Sequence, residues 1–528
     1  MENNNIKELK NMFEENKELQ ELLFIRGFLL TDDKNINVEV FPFYANWNKL
    51  KIDDRYDIYV HKKQKATIIE VNGNKFFLLG HAYNPFTMEY KENKILQRIG
   101  EAYNTDRFQD YIDELTGVFV FGYVVDGQLE FEADATEIQS AYCGKIHDKF
   151  YLSSHAQLIG DLCNLKMSDI AKELVEYKWY YRVLGPYLPG NLSQYNEVKR
   201  IVPNQLYLYK NGELRHSRFF PVRDIPLIKN EKEYNKIISD GAKILKNNMK
   251  LVAEKWKNPQ ISLSGGIDSN TTFAAANGFY DEFETFSYVS AEKETIDAEA
   301  AKKIADKFGV KHTLYEIPED SKELDNYNEI VDIIDHNNGY IAKGRDNEYR
   351  KRVYLLEHLD ADVEIKSWVS ELIRGDWHTF FNRKEFPELS GKLYRNLYKI
   401  FIFNRKLAHK VDEIFNQFIQ EFEYNLIPEM YDPSYMFEEV GWGSWGGINI
   451  SEMKIYSDIT IIYNNRKFLD MMFRLPLEYR MSDQNHLDMK KILNKDLYDM
   501  GSCVTNMKET RFRSFSLNVL FTLNSLLP

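Results

Sequence analysis

Nine residues near the middle of the chain constrain its fold more than any other stretch: Ile261-Ser262-Leu263-Ser264-Gly265-Gly266-Ile267-Asp268-Ser269. An apolar run ends in Ser264, two glycines follow, and a helical pattern opens at once over residues 270–277. This predicts a strand, a tight turn and a helix N-terminus in immediate succession. Such a turn aims several backbone N–H groups and the positive end of a helix dipole at one point, which suits a phosphate. The serine hydroxyls add donors, and Gly265 and Gly266 let the backbone approach a ligand closely. Asp268 is the odd member. A carboxylate beside a phosphate repels it unless a cation lies between them, so Asp268 is read as a magnesium ligand. The Walker form G-x-x-x-x-G-K-[ST] is absent.

The totals limit the setting. A chain of 528 residues has length for two to four domains with sizeable cores. A net charge of -13 argues against a nucleic-acid-binding surface, though not against a local basic pocket. Cys143, Cys163 and Cys503 are scattered without metal spacing, as in a reduced cytosolic protein. No apolar run approaches the ~18 residues of a membrane span. The opening MENNNIKEL lacks the apolar stretch of a signal peptide, and a cytoplasmic location is expected.

Residues 1–22 carry a helical pattern and are read as a surface helix. Residues 23–220 are mostly strand signals (FIRGFLL, YDIYVHKK, ATIIEVN, KFFLLGHAY, GVFVFGYVV, QLEFEAD, KFYLSS) with helices near 95–103 and 171–181. They predict an α+β domain of stacked antiparallel sheets. Turns with Pro221 and Pro226 mark a boundary, and a long helix is expected over 231–256. From 231 to 528 strands alternate with helices: strands over 283–290, 311–317 and 362–367, helices over 297–308 and 329–336. That alternation implies a doubly wound parallel sheet with ligands at the strand C-termini. The chain beyond Ser390 reads as mainly helical. GWGSWGG (residues 441–447) contains G-x-G-x-x-G but lacks the strand before it and the helix after it, so a dinucleotide site is rejected and a packing turn beside the pocket is expected.

SGGIDS resembles the pyrophosphate loop of the ATP pyrophosphatase superfamily, and the order of elements resembles the asparagine synthetase family. LTGVFVFGYV, ADATEIQSAYC and FYLSSHAQLI are similar to segments of that family's N-terminal domain, and YNNRKFLDMMFRLPLEYR to its C-terminal helices. The resemblance implies an Ntn-hydrolase-like, glutaminase-type sandwich (residues 23–220) followed by an α/β doubly wound ATP pyrophosphatase domain with a helical C-terminal region (residues 231–528). That family's glutaminase depends on an N-terminal cysteine. Here no cysteine precedes Cys143, so glutamine hydrolysis is not expected, as in β-lactam synthetases and lasso-peptide cyclases.

The resemblance also assigns roles. Ser262, Leu263, Ser264, Gly265, Gly266, Asp268 and Ser269 would bind ATP, and Tyr288 would lie where adenine is held. IKSWVSELIRG (residues 365–375) is similar to the second phosphate loop, with Lys366 and Trp368 in place of glycines, Ser367 in place of the amide-forming acid and Ser370 in place of a metal-binding Asp. Glu371 then becomes the nearest carboxylate for magnesium or for a base, and Lys366 a direct neutraliser of pyrophosphate. Lys508 falls where the family's intermediate-stabilising lysine lies, with Arg513 as the alternative. Lys343, Arg345, Arg350, Lys351 and Arg352 form a basic run for which a solvated helix face is the commoner explanation, though beside the crevice part of it could steer ATP or an acidic substrate. His312, His336 and His486 receive no role. The implied activity is an AMP-forming amide ligase acting on ATP and a carboxylate substrate, with no membrane or nucleic-acid partner and with room for a homodimer. A catalytically inactive scaffold and a tRNA- or sulfur-modifying ATP pyrophosphatase stay open.

Overall fold

Alternating apolar residues between Gly, Asn and Asp turns build two stacked antiparallel sheets from the first half of the chain. The computed structural model describes residues 2–177, 187–221, 226–342, 344–398, 404–427, 434–435, 437–501 and 507–526. The strands are β1 (Phe28–Thr31), β2 (Trp47–Lys51), β3 (Asp57–His61), β4 (Ala66–Val71), β5 (Asn74–Tyr83), β6 (Thr116–Val125), β7 (Gln128–Ala133), β8 (Tyr142–Ile146), β9 (Lys149–Ser153), β10 (Val198–Arg200), β11 (Gln205–Lys210) and β12 (Glu213–Arg218). One sheet has the order β10-β8-β9-β1-β3-β2, the other β12-β11-β7-β6-β5-β4. Phe28 and Leu30 of the first meet Phe77, Leu79, Val120 and Phe131 of the second in a shared core.

The outer faces are buried as well, because helices cover them. Phe76 and Leu78 point away from the shared core and pack under Ile95, Leu96 and Ile99 of the helix Glu92–Glu101. Behind the other sheet, Leu29 and Tyr59 join Leu158 and Ile159 of the helix Ala156–Cys163. Leu9 and Phe13 of the helix Glu2–Glu15 enter the same cluster, beside Ile330 and Ile333 from the second half of the chain. The expected surface helix is therefore anchored by one apolar edge.

The second half contributes β13 (Pro259–Ser262), β14 (Glu284–Val289), β15 (His312–Glu316), β16 (Val363–Lys366) and β17 (Asp458–Ile461), all parallel, in the order β15-β14-β13-β16-β17. The chain winds outward from β13 through β14 and β15, then returns to the other side of β13. This places the reversal of direction, where open α/β sheets bind ligands, between β13 and β16. The long helix Glu231–Lys255 starts where the Asn230 side chain accepts the Glu233 N–H, and buries Leu245, Met249 and Val252 in the main core.

Two expectations are corrected. Of FIRGFLL only β1 is strand, since Phe24 and Arg26 take φ values of +49° and +54° and turn the chain. The region beyond Ser390 is mainly helical, as expected, and adds one strand, β17, which completes the sheet. GWGSWGG is not a turn: residues Phe437–Gly446 form a π-helix that runs into the helix Gly447–Met453. Its glycines let it close on the first half of the chain. A Cβ at Gly443 would lie 2.2 Å from Arg200 Nη1 and 2.6 Å from Glu137 Oε2.

Buried polar bonds tie the halves together. Arg218 grips Glu439 through two bonds of 2.7 and 2.9 Å, Arg200 Nη2 donates to Glu439 O at 2.8 Å, and Asn464 donates to Gly117 O and Asp134 Oδ1 at 2.8 and 2.9 Å. Among the described residues no helix is long and apolar enough to cross a membrane.

Candidate functional site

The phosphate-type turn lies at the C-terminal end of β13. Leu263 N–H donates to Phe286 O at 2.9 Å and continues the parallel ladder one residue beyond the strand. The chain then turns, and the helix Ile267–Ala275 begins with Gly266 as its N-cap. No side chain caps that helix, so its first-turn N–H groups retain the capacity to bind an anion. At Gly265 any side chain would crowd the turn, as a Cβ would lie 3.0 Å from Asp297 Oδ1 and 3.1 Å from Ala300 Cβ.

A crevice of about 320 Å³ opens over this turn at the ends of β13, β14 and β16. From the first loop it is lined by Ser262, Leu263, Ser264, Gly266, Asp268 and Ser269. Tyr288, Lys366 and Glu371 close its other side. Every residue assigned to the two loops is thus brought to one place, with Gly265 inside the turn. Lys508 lies in the helix Met507–Leu526, but its side chain is outside the described residues, as is Lys343 entirely.

The groups are more occupied than the sequence implied. Ser264 and Ser269 hydroxyls bond each other at 2.9 Å, and Asn270 Nδ2 donates to Ser264 O and Gly266 O at 3.0 and 2.7 Å. These bonds fix the shape of the turn. The Asp297 carboxylate accepts the Gly265 backbone N–H, and burial raises its pKa. Lys366 donates to Glu364 at 2.6 Å with both side chains buried, and Tyr456 binds the other oxygen of Glu364 at 3.0 Å. The Lys366 charge expected to meet pyrophosphate is therefore engaged within β16.

Glu371 differs from its neighbours. Its Oε2 is buried without a hydrogen-bond partner, and burial, reinforced by the charge of Asp268, pushes its carboxyl up to about 8. Asp268, by contrast, has both oxygens in use. Ser370 Oγ donates to Oδ1 at 2.7 Å and Arg374 Nη1 to Oδ2 at 2.7 Å. His486, buried and with its pKa lowered by burial, sits with Nε2 3.7 Å from Asp268 Oδ1. Arg374 also holds Asp483 through bonds of 2.7 and 3.1 Å.

Magnesium does not fit the residues assigned to it. Of its two expected carboxylates, Asp268 already has one oxygen on a guanidinium and the other on the Ser370 hydroxyl, and Glu371 is buried beside it with its carboxyl pushed up; among the described residues no cluster of three or more His, Cys, Asp or Glu side chains could hold a metal by itself.

Arg374, Asp483 and His486 are the site groups that sequence reading missed. Arg374 lies three residues past Glu371, and the spacing offered no other hint. The second loop is also strained. Val369, fully buried, takes φ +72° and ψ −21°, a region a β-branched residue rarely enters. That conformation turns Ser370 toward Asp268. Trp368 leaves the same loop to stack on Trp445 of the π-helix, with centroids 5.3 Å apart and planes at 21°. Three residues of the basic run are engaged: Arg350 with Asp346 at 2.8 Å, Arg352 with Glu452 at 2.8 Å, and Lys351, whose Nζ rests 4.1 Å over the Tyr288 ring.

The family model described as asparagine synthase matches residues 259–344, from β13 to the approach of the helix Asp346–His358. No curated protein matches the chain. Among solved structures, the allosteric regulatory enzyme of purine biosynthesis is 9% identical, with 56% of this chain and 76% of that one covered at a TM-score of 0.25. Glutamine phosphoribosylpyrophosphate amidotransferase from B. subtilis, complexed with ADP and GMP, is 9% identical over 72% of this chain and 75% of that one, TM-score 0.22. Glutamine-dependent NAD+ synthetase from Acinetobacter baumannii, in complex with ADP, is 13% identical over 51% of each chain, TM-score 0.20. Over the span that carries the phosphate-type turn, the mixed α/β chain is ATP-pyrophosphatase-like.

Proposed function

We propose that the protein is an ATP-dependent amide-bond-forming ligase that works without glutamine hydrolysis. A substrate carboxylate attacks the α-phosphate of ATP, pyrophosphate leaves, and an amine then displaces AMP from the acyl-adenylate to give an amide. The observation that carries this reading is the uncapped helix N-terminus behind SGGIDS, opening on a crevice at the reversal point of a parallel sheet, within the span that matches asparagine synthase.

Each part has a task in this scheme. The first-turn N–H groups of the helix Ile267–Ala275 hold phosphate, and Tyr288 borders the adenine. Glu371, whose carboxyl burial pushes up to about 8, is assigned as a donor of a hydrogen bond or a proton. Lys508 is assigned to the charge that develops on the acyl carbonyl. No step is routed through a metal on Asp268. The stacked antiparallel sheets with helices on both outer faces support an Ntn-hydrolase-like domain over 23–220. Cys143 offers it no nucleophile, because the thiol is buried and pushed up to about 12.

The test is ATP–pyrophosphate exchange across a panel of carboxylic acids, without tRNA. Acid-dependent exchange supports the ligase. The engaged serines and the Asp268–Arg374 pair favour one second reading, a nucleotide-binding scaffold, for which ATP binds and no acid supports exchange. Glutamine incubated with the protein is expected to yield no glutamate.

A further inference from the structure

The strongest unexplained arrangement in the molecule is the charge chain Asp483–Arg374–Asp268. Its three members come from separate elements: the residue that precedes the helix Gln484–Leu493, the end of the short turn Ser370–Arg374, and the first turn of the helix Ile267–Ala275. Arg374 is fixed from both sides. Two bonds of 2.7 and 3.1 Å bind its Nε and Nη2 to Asp483, and Nη1 reaches Asp268 at 2.7 Å. Its backbone is held too, since Thr379 Oγ1 donates to Arg374 O at 2.5 Å. Such a planar fork with matched partners gives directional as well as Coulombic stabilisation. With Ser370 on the other oxygen, Asp268 has its charge balanced and its position set by protein groups alone. A divalent ion bound at about 2.1 Å from Asp268 would have to share that carboxylate with a guanidinium and would repel it.

We propose that Arg374 is the resident counter-charge of Asp268, a positioning residue that fills the place a divalent ion would take and holds the phosphate-type turn in its working shape. Two consequences follow from the geometry. The protein alone has no divalent-ion site at Asp268, and removing the guanidinium creates one, because Asp268, Asp483 and the Ser370 hydroxyl are then left around the vacated volume.

The test uses Mn2+ alone as probe, titrated into the purified full-length protein and followed by electron paramagnetic resonance, so it does not depend on the ligase reading. The expected result is that Asp268→Asn leaves Mn2+ binding of the wild type unchanged, and that Arg374→Ala strengthens Mn2+ binding at least tenfold, an increase lost again in the double variant with Asp268→Asn. A wild-type Mn2+ site that Asp268→Asn abolishes would overturn the proposal. So would an Arg374→Ala protein that folds, by circular dichroism, and gains no affinity. Should Arg374→Ala not fold, the wild-type comparison with Asp268→Asn decides alone, and Arg374→Lys, which keeps the charge, is expected to exclude Mn2+ as the wild type does. A separate titration with ATP in EDTA examines the ligase reading: absent binding there, beside the expected Mn2+ results, would count against the ligase and leave the role of Arg374 standing.

Discussion

Replacing Asp268 by asparagine keeps the size of the side chain and removes the charge that Arg374 and Ser370 converge on. The ion pair is only partly buried, with side-chain exposures of 22% and 25%, so its loss is expected to cost about 1 kcal/mol of stability. Exchange activity is expected to fall much further, by about a hundredfold or more, because the turn loses the group that orients its first helical residues. Thermal unfolding beside ATP–pyrophosphate exchange separates the two effects. A variant with near-normal exchange would remove Asp268 from the site. Val369 makes the same point from the backbone side. A buried valine at φ +72° stores roughly 1–3 kcal/mol of strain, and the return is a Ser370 hydroxyl held 2.7 Å from Asp268.

At the scale of single elements, the π-helix Phe437–Gly446 joins the crevice to the first half of the chain: Trp445 stacks on Trp368, and Gly443 admits the Arg200–Glu137 pair. Gly443→Ala is expected to destabilise the protein by about 1–3 kcal/mol, read as a lowered thermal midpoint, since its new methyl group must displace a buried guanidinium. Glu438 on the same helix predicts a pH dependence. Burial, reinforced by the charge of Glu439, pushes its carboxyl from 4.5 up to about 8. Between those values the folded chain binds a proton that the unfolded chain has released, so this group's contribution to stability declines as pH rises through the window. Glu438→Gln carries no such proton, and its thermal midpoint should gain on the wild type from pH 4.5 to about 8. A constant difference across the range would disprove it.

Which elements could be read from sequence follows the same physics. Strands such as β5 and β6, long and apolar on both faces, declared themselves. Trp47–Lys51 did not, because its edge position leaves Asn48, Lys49 and Lys51 exposed and erases the alternation. Four-residue β17 has no period that would tell it from a helical segment. The SGGIDS turn was legible because its chemistry is local. Arg374 and Asp483 were not, since 106 residues separate Arg374 from Asp268 and 109 separate it from Asp483, and only the finished fold brings the three together.

For the molecule as a whole, the main core runs across both halves. Tyr83, Val118 and Ile138 from the first share it with Ile261, Ile461 and Phe468 from the second. Neither half can withdraw without exposing that surface to water. Heat is therefore expected to unfold the chain in one calorimetric transition, and two well-separated peaks would show that the halves stand independently.

The anchoring of the helix Glu2–Glu15 also has a bearing on how the chain is made. Leu9 and Phe13 share a buried cluster with Ile330 and Ile333, which synthesis supplies only some three hundred residues later. Nascent chains halted on the ribosome before that point should leave the leading helix open to protease, and those halted beyond it should protect it. Until then that helix waits for a neighbour that has not yet been translated, and in that interval a chaperone has something to hold.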